Sequence, residues 1–290
     1  MSDAQPQAKP RSRLRSLGRF LLIFIAGCVA LVGLLMIFEN RFVFFPAPAS
    51  EDWHEPPEQF EKHDVELALV DGTIVHAWWL PKAGAKLALL YAHGNGGNLS
   101  HRMRSYALLQ QELNVSILAF DYPGYGKSTG SPSESGCYDA GDEAFNWLVT
   151  EGRVSPQRVI LFGESLGGAI ATELAARQPC RALVLFSAFT SAPAVGKEIY
   201  PFLPLESMMR NRFDNLSKIV KLKCPVFIAH GDADRMIRPH HAQKLFDAAP
   251  APKRLYWIPG ADHNDDMTAG MAAALREFLR EHPMDKGSTP

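Results

Sequence analysis

Arg158-Val-Ile-Leu-Phe162-Gly163-Glu164-Ser165-Leu166-Gly167-Gly168-Ala169-Ile-Ala-Thr-Glu-Leu-Ala-Ala176 is the stretch from which the fold is read. An apolar, β-prone run enters it and a helix-like run leaves it. Between them lies Gly-x-Ser-x-Gly, a strand–turn–helix in which Ser165 occupies a tight, strained elbow. Glycines flank the serine because the turn brings backbone segments close enough for a Cβ to clash. The N-terminus of the following helix directs free N–H groups toward whatever Ser165 attacks. An ordinary βα turn would share the pattern, so the partners must be sought elsewhere in the chain.

The chain has 290 residues, 47% of them hydrophobic. With an apolar segment set aside, about 250 residues remain, a length that suits one large α/β domain. A net charge of −1 argues against nucleic-acid binding. Lys9, Arg11, Arg13, Arg15 and Arg19 outweigh Asp3 and Glu39, so residues 1–39 carry +3 and the remainder −4. Four cysteines (Cys28, Cys137, Cys180 and Cys224) show no Cys-x-x-Cys spacing and read as free thiols, without a zinc or redox motif.

Residues 1–17 are polar and basic and read as a disordered tail. Phe20 to Phe38 follows as 19 residues without a charge. At about 1.5 Å rise per residue it spans a hydrocarbon core of about 30 Å, so 18–39 is expected to be a transmembrane signal anchor. Ile25-Ala-Gly-Cys28 resembles a lipobox, but ten more apolar residues follow it. Basic residues precede the span, which predicts a single-pass protein with its N-terminus in the cytoplasm and its bulk across the membrane. The aromatic, proline-ended stretch Glu39-Asn-Arg-Phe-Val-Phe-Phe-Pro-Ala-Pro48 opens a segment, 40–60, expected to be an interfacial anchor and linker.

A catalytic domain is expected over 61–282 and a polar C-terminal tail over 283–290. Alternation around Asp71-Gly72 predicts a hairpin, Val65–Val70 with Thr73–Leu80. From residue 87 the pattern repeats β then α. Strands are expected at 87–92, 115–120, 158–162, 181–186, 224–229 and 254–258. Helices are expected at 100–113 (Ser100 as cap), 141–150, 169–176, 240–248 and 266–280. Such alternation makes an α/β fold, a mostly parallel sheet with helices on both faces.

In open α/β sheets ligands meet the loops at the carboxyl ends of strands. Four such ends hold reactive groups: His93-Gly-Asn95-Gly-Gly-Asn98, Ser165, His230-Gly-Asp232-Ala-Asp234 and Ala261-Asp-His263-Asn-Asp265. The glycine-rich loop can aim N–H groups at a developing oxyanion; no Lys-Ser/Thr follows it to make a phosphate loop. A serine hydroxyl is a poor nucleophile until a base takes its proton, and the base needs a carboxylate to hold its tautomer. His263 is the base at a strand end, with Asp232 and Asp234 both placed as the acid. A metal reading through Asp232, Asp234, His240 and His241 is disfavoured, because adjacent helical histidines point about 100° apart.

The segments 93–98, Asp121-Tyr-Pro-Gly-Tyr-Gly-Lys-Ser128, 163–168 and 230–234 resemble α/β-hydrolase fold serine hydrolases. More narrowly they are similar to the membrane-anchored α/β-hydrolase-domain group, whose relatives include protein depalmitoylases. Ser187-Ala-Phe-Thr-Ser191, Tyr200-Pro-Phe-Leu-Pro204, Arg212-Phe-Asp214 and Phe44-Phe-Pro46 carry the same resemblance, which covers nearly the whole chain from residue 18 to about 280. The resemblance implies Ser165 as nucleophile, Asp234 as orienting acid and His263 as base, in that chain order. It also implies the backbone N–H groups of Asn95 and Leu166 as the oxyanion hole. Pro123 stands where many relatives have arginine.

Residues 188–217 hold Phe189, Tyr200, Phe202, Leu203, Leu205, Met208, Met209 and Phe213, and are expected to form a short apolar cap. The expected activity is hydrolysis of carboxylic ester or thioester bonds in small-molecule or lipid-like acyl substrates. It needs no cofactor or metal and takes place at a lipid bilayer. The competing readings are a serine aminopeptidase and a non-catalytic binding module.

Overall fold

The computed structural model describes residues 11–283. Helix α1 (Arg11–Ile37) contains a 21-residue stretch, Leu17–Ile37, long and apolar enough to cross a membrane. It begins inside the segment expected to be a disordered tail. Arginine and leucine are good helix formers and extend a helix that the apolar run has already nucleated. Residues 1–10, and all but the first residue of the expected C-terminal tail, lie outside the described residues. A short helix α2 (Glu39–Val43) follows.

The hairpin forms from β1 (His63–Ala68) and β2 (Ile74–Leu80). Then come β3 (Leu87–Ala92), α3 (Met103–Leu113), β4 (Val115–Phe120), α4 (Glu134–Thr150), β5 (Val159–Glu164) and α5 (Gly167–Arg177). After β6 (Ala182–Phe186), three short helices follow: α6 (Ala192–Ile199), α7 (Leu205–Met208) and α8 (Asn215–Ile219). The chain continues through β7 (Val226–Gly231), α9 (His240–Ala248), β8 (Lys253–Ile258) and α10 (Ala269–Glu281).

Eight strands make one sheet in the order β1-β2-β4-β3-β5-β6-β7-β8. The β1/β2 and β2/β4 pairs are antiparallel and the rest are parallel. Successive strand side chains point to opposite faces. Thus Leu90, Leu161 and Leu183 meet α4, α5 and α9, while Leu89, Tyr91, Phe162 and Val184 meet α3 and α10. The central strands are apolar on both faces, so they read as continuous hydrophobic runs.

Several helix starts differ from expectation, two of them for reasons of capping. Asn98, not Ser100, caps the first turn after β3, its side chain accepting from the Ser100 N–H at 3.0 Å. Helix α4 starts at Glu134, seven residues early, capped by Ser133. Gly136 and Gly141 had masked its first two turns.

The expected linker is not a free spacer. Phe44 is buried, as is Glu39 just before the linker, and Phe45–Pro46 pairs in parallel with Gly96–Gly97. Proline and a two-residue strand leave no alternation from which such pairing can be foreseen. The expected cap is divided too. Phe189 and Phe213 belong to the core, with Phe213 edge-on to Phe44, whereas Phe202 is 96% exposed.

At the elbow, a Cβ on Gly163 would lie 2.4 Å from the Gly167 carbonyl oxygen, and one on Gly167 would lie 2.0 Å from that of Ala92. Gly167→Ala is therefore expected to cost about 3 kcal/mol or more of stability, because rigid backbone and not a flexible side chain must yield. Chemical denaturation of full-length protein in detergent checks this.

Candidate active site

Ser165 follows β5 directly and has φ +50, a left-handed conformation that non-glycine residues seldom adopt. Its own N–H donates to the Phe186 carbonyl on β6 at 2.8 Å, so the neighbouring strand holds the strained residue. Its carbonyl accepts from the Gly168 N–H, in the first turn of α5. The side chain is thereby lifted out of the sheet while its backbone stays inside.

His263 stands on the turn after β8 and Asp234 on the turn after β7, adjacent parallel strands. The structure brings the three side chains into one row. Ser165 Oγ lies 3.1 Å from His263 Nε2, and His263 Nδ1 lies 2.8 Å from Asp234 Oδ2. A neutral imidazole satisfies both contacts only with its proton on Nδ1, donated to Asp234, leaving Nε2 to accept from the serine.

Asp234 is 3% exposed. Burial by itself would raise its pKa. Hydrogen bonds from His230 and His263 and from the Ile237 amide outweigh that, and hold the carboxyl well below the usual carboxylate range. Its Oδ1 accepts from the N–H groups of Met236 (2.9 Å) and Ile237 (2.8 Å). Asp232, the other candidate, is exposed and accepts from the Gly260 N–H at 2.6 Å, so it ties the two loops together away from the imidazole. Asp262 accepts from the Arg235 and His263 N–H groups and fixes the His263 turn.

Asn95 and Leu166 sit at the ends of β3 and β5, which pair directly. Among the described residues neither backbone N–H donates a hydrogen bond within the protein. The loop 93–98 is nevertheless well held. Tyr122 donates to the His93 carbonyl (2.6 Å), and buried His93 lies 3.2 Å from Asp121. Residue-type reasoning missed a polar cluster beneath it. Tyr91 donates to Glu164 Oε2 (2.6 Å), Arg102 Nε meets both Glu164 oxygens (3.0 Å), and Arg102 Nη2 reaches the Gly96 carbonyl (3.1 Å). Arg102 thus bridges the residue before Ser165 and the loop carrying Asn95. Nothing in the sequence singles out one arginine among many for this role.

The histidines of α9 correct one expectation. The rings of His240 and His241 stack at 4.4 Å, and both Nε2 atoms approach Glu198 Oε1, at 2.9 and 3.2 Å. They converge at the start of the helix, of which His240 is the first residue. Asp232 and Asp234 lie elsewhere. Burial first, then neighbouring His240 and Lys244, pulls the pKa of His241 down to about 4. The Thr190 N–H donates to its Nδ1, which leaves the ring proton on Nε2, facing Glu198.

This sheet order, with a serine on a strained turn after β5 and a histidine and aspartate after β8 and β7, is that of an α/β-hydrolase. The family model described as Alpha/beta hydrolase domain matches residues 85–279, and the chain belongs to that family. An uncharacterised protein of Mycobacterium tuberculosis is 35% identical over 278 residues, covering 92% of this chain and 98% of that protein. The uncharacterised protein YfhR of Escherichia coli K12 is 34% identical over 272 residues, 90% of this chain and 91% of that one. Among solved structures, an esterase of Pyrococcus furiosus superposes with a TM-score of 0.66 at 20% identity, over 82% of this chain and 98% of that chain. At that identity the likeness is one of fold.

Proposed function

We propose that this protein is a serine hydrolase that cleaves carboxylic ester or thioester bonds through an acyl-enzyme. The observation that carries the reading is the unbroken row Ser165 Oγ–His263 Nε2–Nδ1–Asp234 Oδ2. As Oγ attacks the acyl carbon, its proton passes to His263 Nε2, and ionised Asp234 stabilises the imidazolium. The carbonyl oxygen becomes an oxyanion and receives the unpaired N–H groups of Asn95 and Leu166. His263 then gives its proton to the departing alkoxide or thiolate. Water, deprotonated by the same nitrogen, attacks the acyl-serine and frees Oγ. Every proton transfer is made by the chain's own groups, so the scheme calls on no cofactor.

The apolar helix and the basic residues before it support a further part of the reading. In it α1 crosses the membrane with the N-terminus in the cytoplasm, and the hydrolase domain lies outside. Exposed apolar residues, Phe42 and Phe45 shortly after this helix and Phe202 in the expected cap, favour lipid-like acyl substrates over soluble ones.

Ser165→Ala is expected to lower kcat about 10⁴–10⁶-fold and to abolish fluorophosphonate labelling while the fold survives; Asp234→Asn should lower kcat about 10⁴-fold. Undiminished turnover by the serine variant would end the proposal. Across a series of acyl esters, kcat/KM is expected to rise with chain length, and a flat profile would remove the lipid-like substrate class. Alkaline phosphatase fused after residue 290 is expected to be active in bacterial cells, and an inactive fusion would reverse the topology.

A further inference from the structure

The segment between the apolar helix and the catalytic domain grips the loop that carries Asn95. At its start, Glu39 is 6% exposed and packed against the polypeptide that follows α7. Its carboxylate accepts the N–H groups of Arg210 (3.0 Å to each oxygen) and Asn211 (2.8 Å) and the Asn211 side-chain amide (2.9 Å). Arg210 Nη2 also donates to the Met36 carbonyl at the end of α1, at 2.7 Å. Burial would raise the pKa of Glu39, but these amide hydrogen bonds outweigh it and lower it, so the clamp is charged at neutral pH.

Four residues on, the same segment reaches the loop. The Val43 carbonyl accepts from Asn95 Nδ2 at 2.6 Å. Tyr125 Oη donates to Asn95 Oδ1 at 2.8 Å and accepts the Phe45 N–H at 3.2 Å. Phe45–Pro46 pairs with Gly96–Gly97, the Ala47 N–H donates to the Gly97 carbonyl (3.2 Å), and the Ala47 carbonyl accepts from Asn98 Nδ2 (3.0 Å). Phe44, between the two anchor points, is buried edge-on to Phe213.

Gly94, Gly96 and Gly97 give the loop little conformational preference of its own. Its order on this side comes from the strap and Tyr125, and on the other from Arg102. We infer that residues Glu39–Ala47 are a catalytic strap: they hold the Asn95 amide in place, and Glu39 acts on the reaction as a positioning residue. The inference rests on the reading of Asn95 as an oxyanion donor. It makes the juxtamembrane segment part of the active site's support.

The test uses full-length protein in detergent micelles, a p-nitrophenyl ester as substrate and hydrogen exchange of the 93–98 amides. Glu39→Ala is expected to lower kcat, per fluorophosphonate-titrated site, about 10–100-fold with KM changed less than about threefold. Exchange at 93–98 should rise together with it. Glu39→Asp should recover part of both, and Arg41→Ala, on the exposed side of the strap, should match wild type. Unchanged kcat per titrated site together with unchanged exchange in Glu39→Ala would overturn the inference. So would faster exchange spread evenly over the whole domain, which marks general destabilisation. If Glu39→Ala does not fold, Asn211→Ala, which removes one donor from the clamp, is expected to give smaller changes of the same kind; wild-type kcat and exchange there would overturn it too. Exchange is read equally well in a Ser165→Ala background, so failure of the hydrolase reading and failure of the strap give different results.

Discussion

Everything at this site depends on a strand that must become a helix with almost no room to turn. β5 ends at Glu164, α5 begins at Gly167, and Ser165 between them is held at φ +50. A residue there is strained by an amount on the order of 1–3 kcal/mol, and persists because its surroundings allow nothing else. The Phe186 carbonyl takes its N–H, and Gly163, Gly167 and Gly168 let α5 lie directly against the sheet. The same closeness is useful: it sets Oγ above the strand ends, beside loops that other strands deliver.

Those loops solve an electrostatic problem. A carboxylate as buried as Asp234 would be neutral if burial alone acted on it, and a neutral acid could not stabilise an imidazolium. Two backbone amides and two histidines surround it with donors, and the outcome is a group that stays ionised although water has been removed. His263 is then oriented from Nδ1, with its turn fixed separately by Asp262. Loops after β7 and β8 can meet only because those strands are adjacent and parallel, so topology and electrostatics impose the same arrangement.

Much of this was legible beforehand, for identifiable reasons. Each central strand is apolar on both faces and bounded by glycine or polar residues, so its carboxyl end, where chemistry concentrates, could be located to within a residue or two. Ser165, Asp234 and His263 stand at three such ends, and the structure sets their side chains in hydrogen-bonding reach. The choice of Asp234 over Asp232 rested on resemblance; geometry distinguishes them because one side chain turns inward to the imidazole and the other bonds Gly260. Helix α4 and the α9 histidines were misjudged where end effects dominate. A serine cap outweighed two glycines in the first case, and in the second a first-turn ring escaped the regular 100° spacing.

The strap was misread for a deeper reason. Aromatic and proline residues after an apolar helix suit a membrane interface equally well whether or not they touch the domain. The distinction lies in contacts across more than 170 residues of chain, Glu39 to Arg210 and Asn211, which no local pattern encodes. Composition also disguised Glu39, since one acid beside an apolar helix reads as the end of a span. Burial turns that reading around. A carboxylate removed from water must be satisfied by donors, and the donors available are backbone amides of a segment far along the chain. Once made, such a clamp is rigid, because each of its hydrogen bonds is charge-assisted and the carboxylate left unpaired would be costly. The helix end, the Arg210 segment and the Asn95 loop thereby become one mechanical unit. In that unit the attachment of the apolar helix and the placement of the Asn95 amide, the proposed oxyanion donor, come from the same contacts.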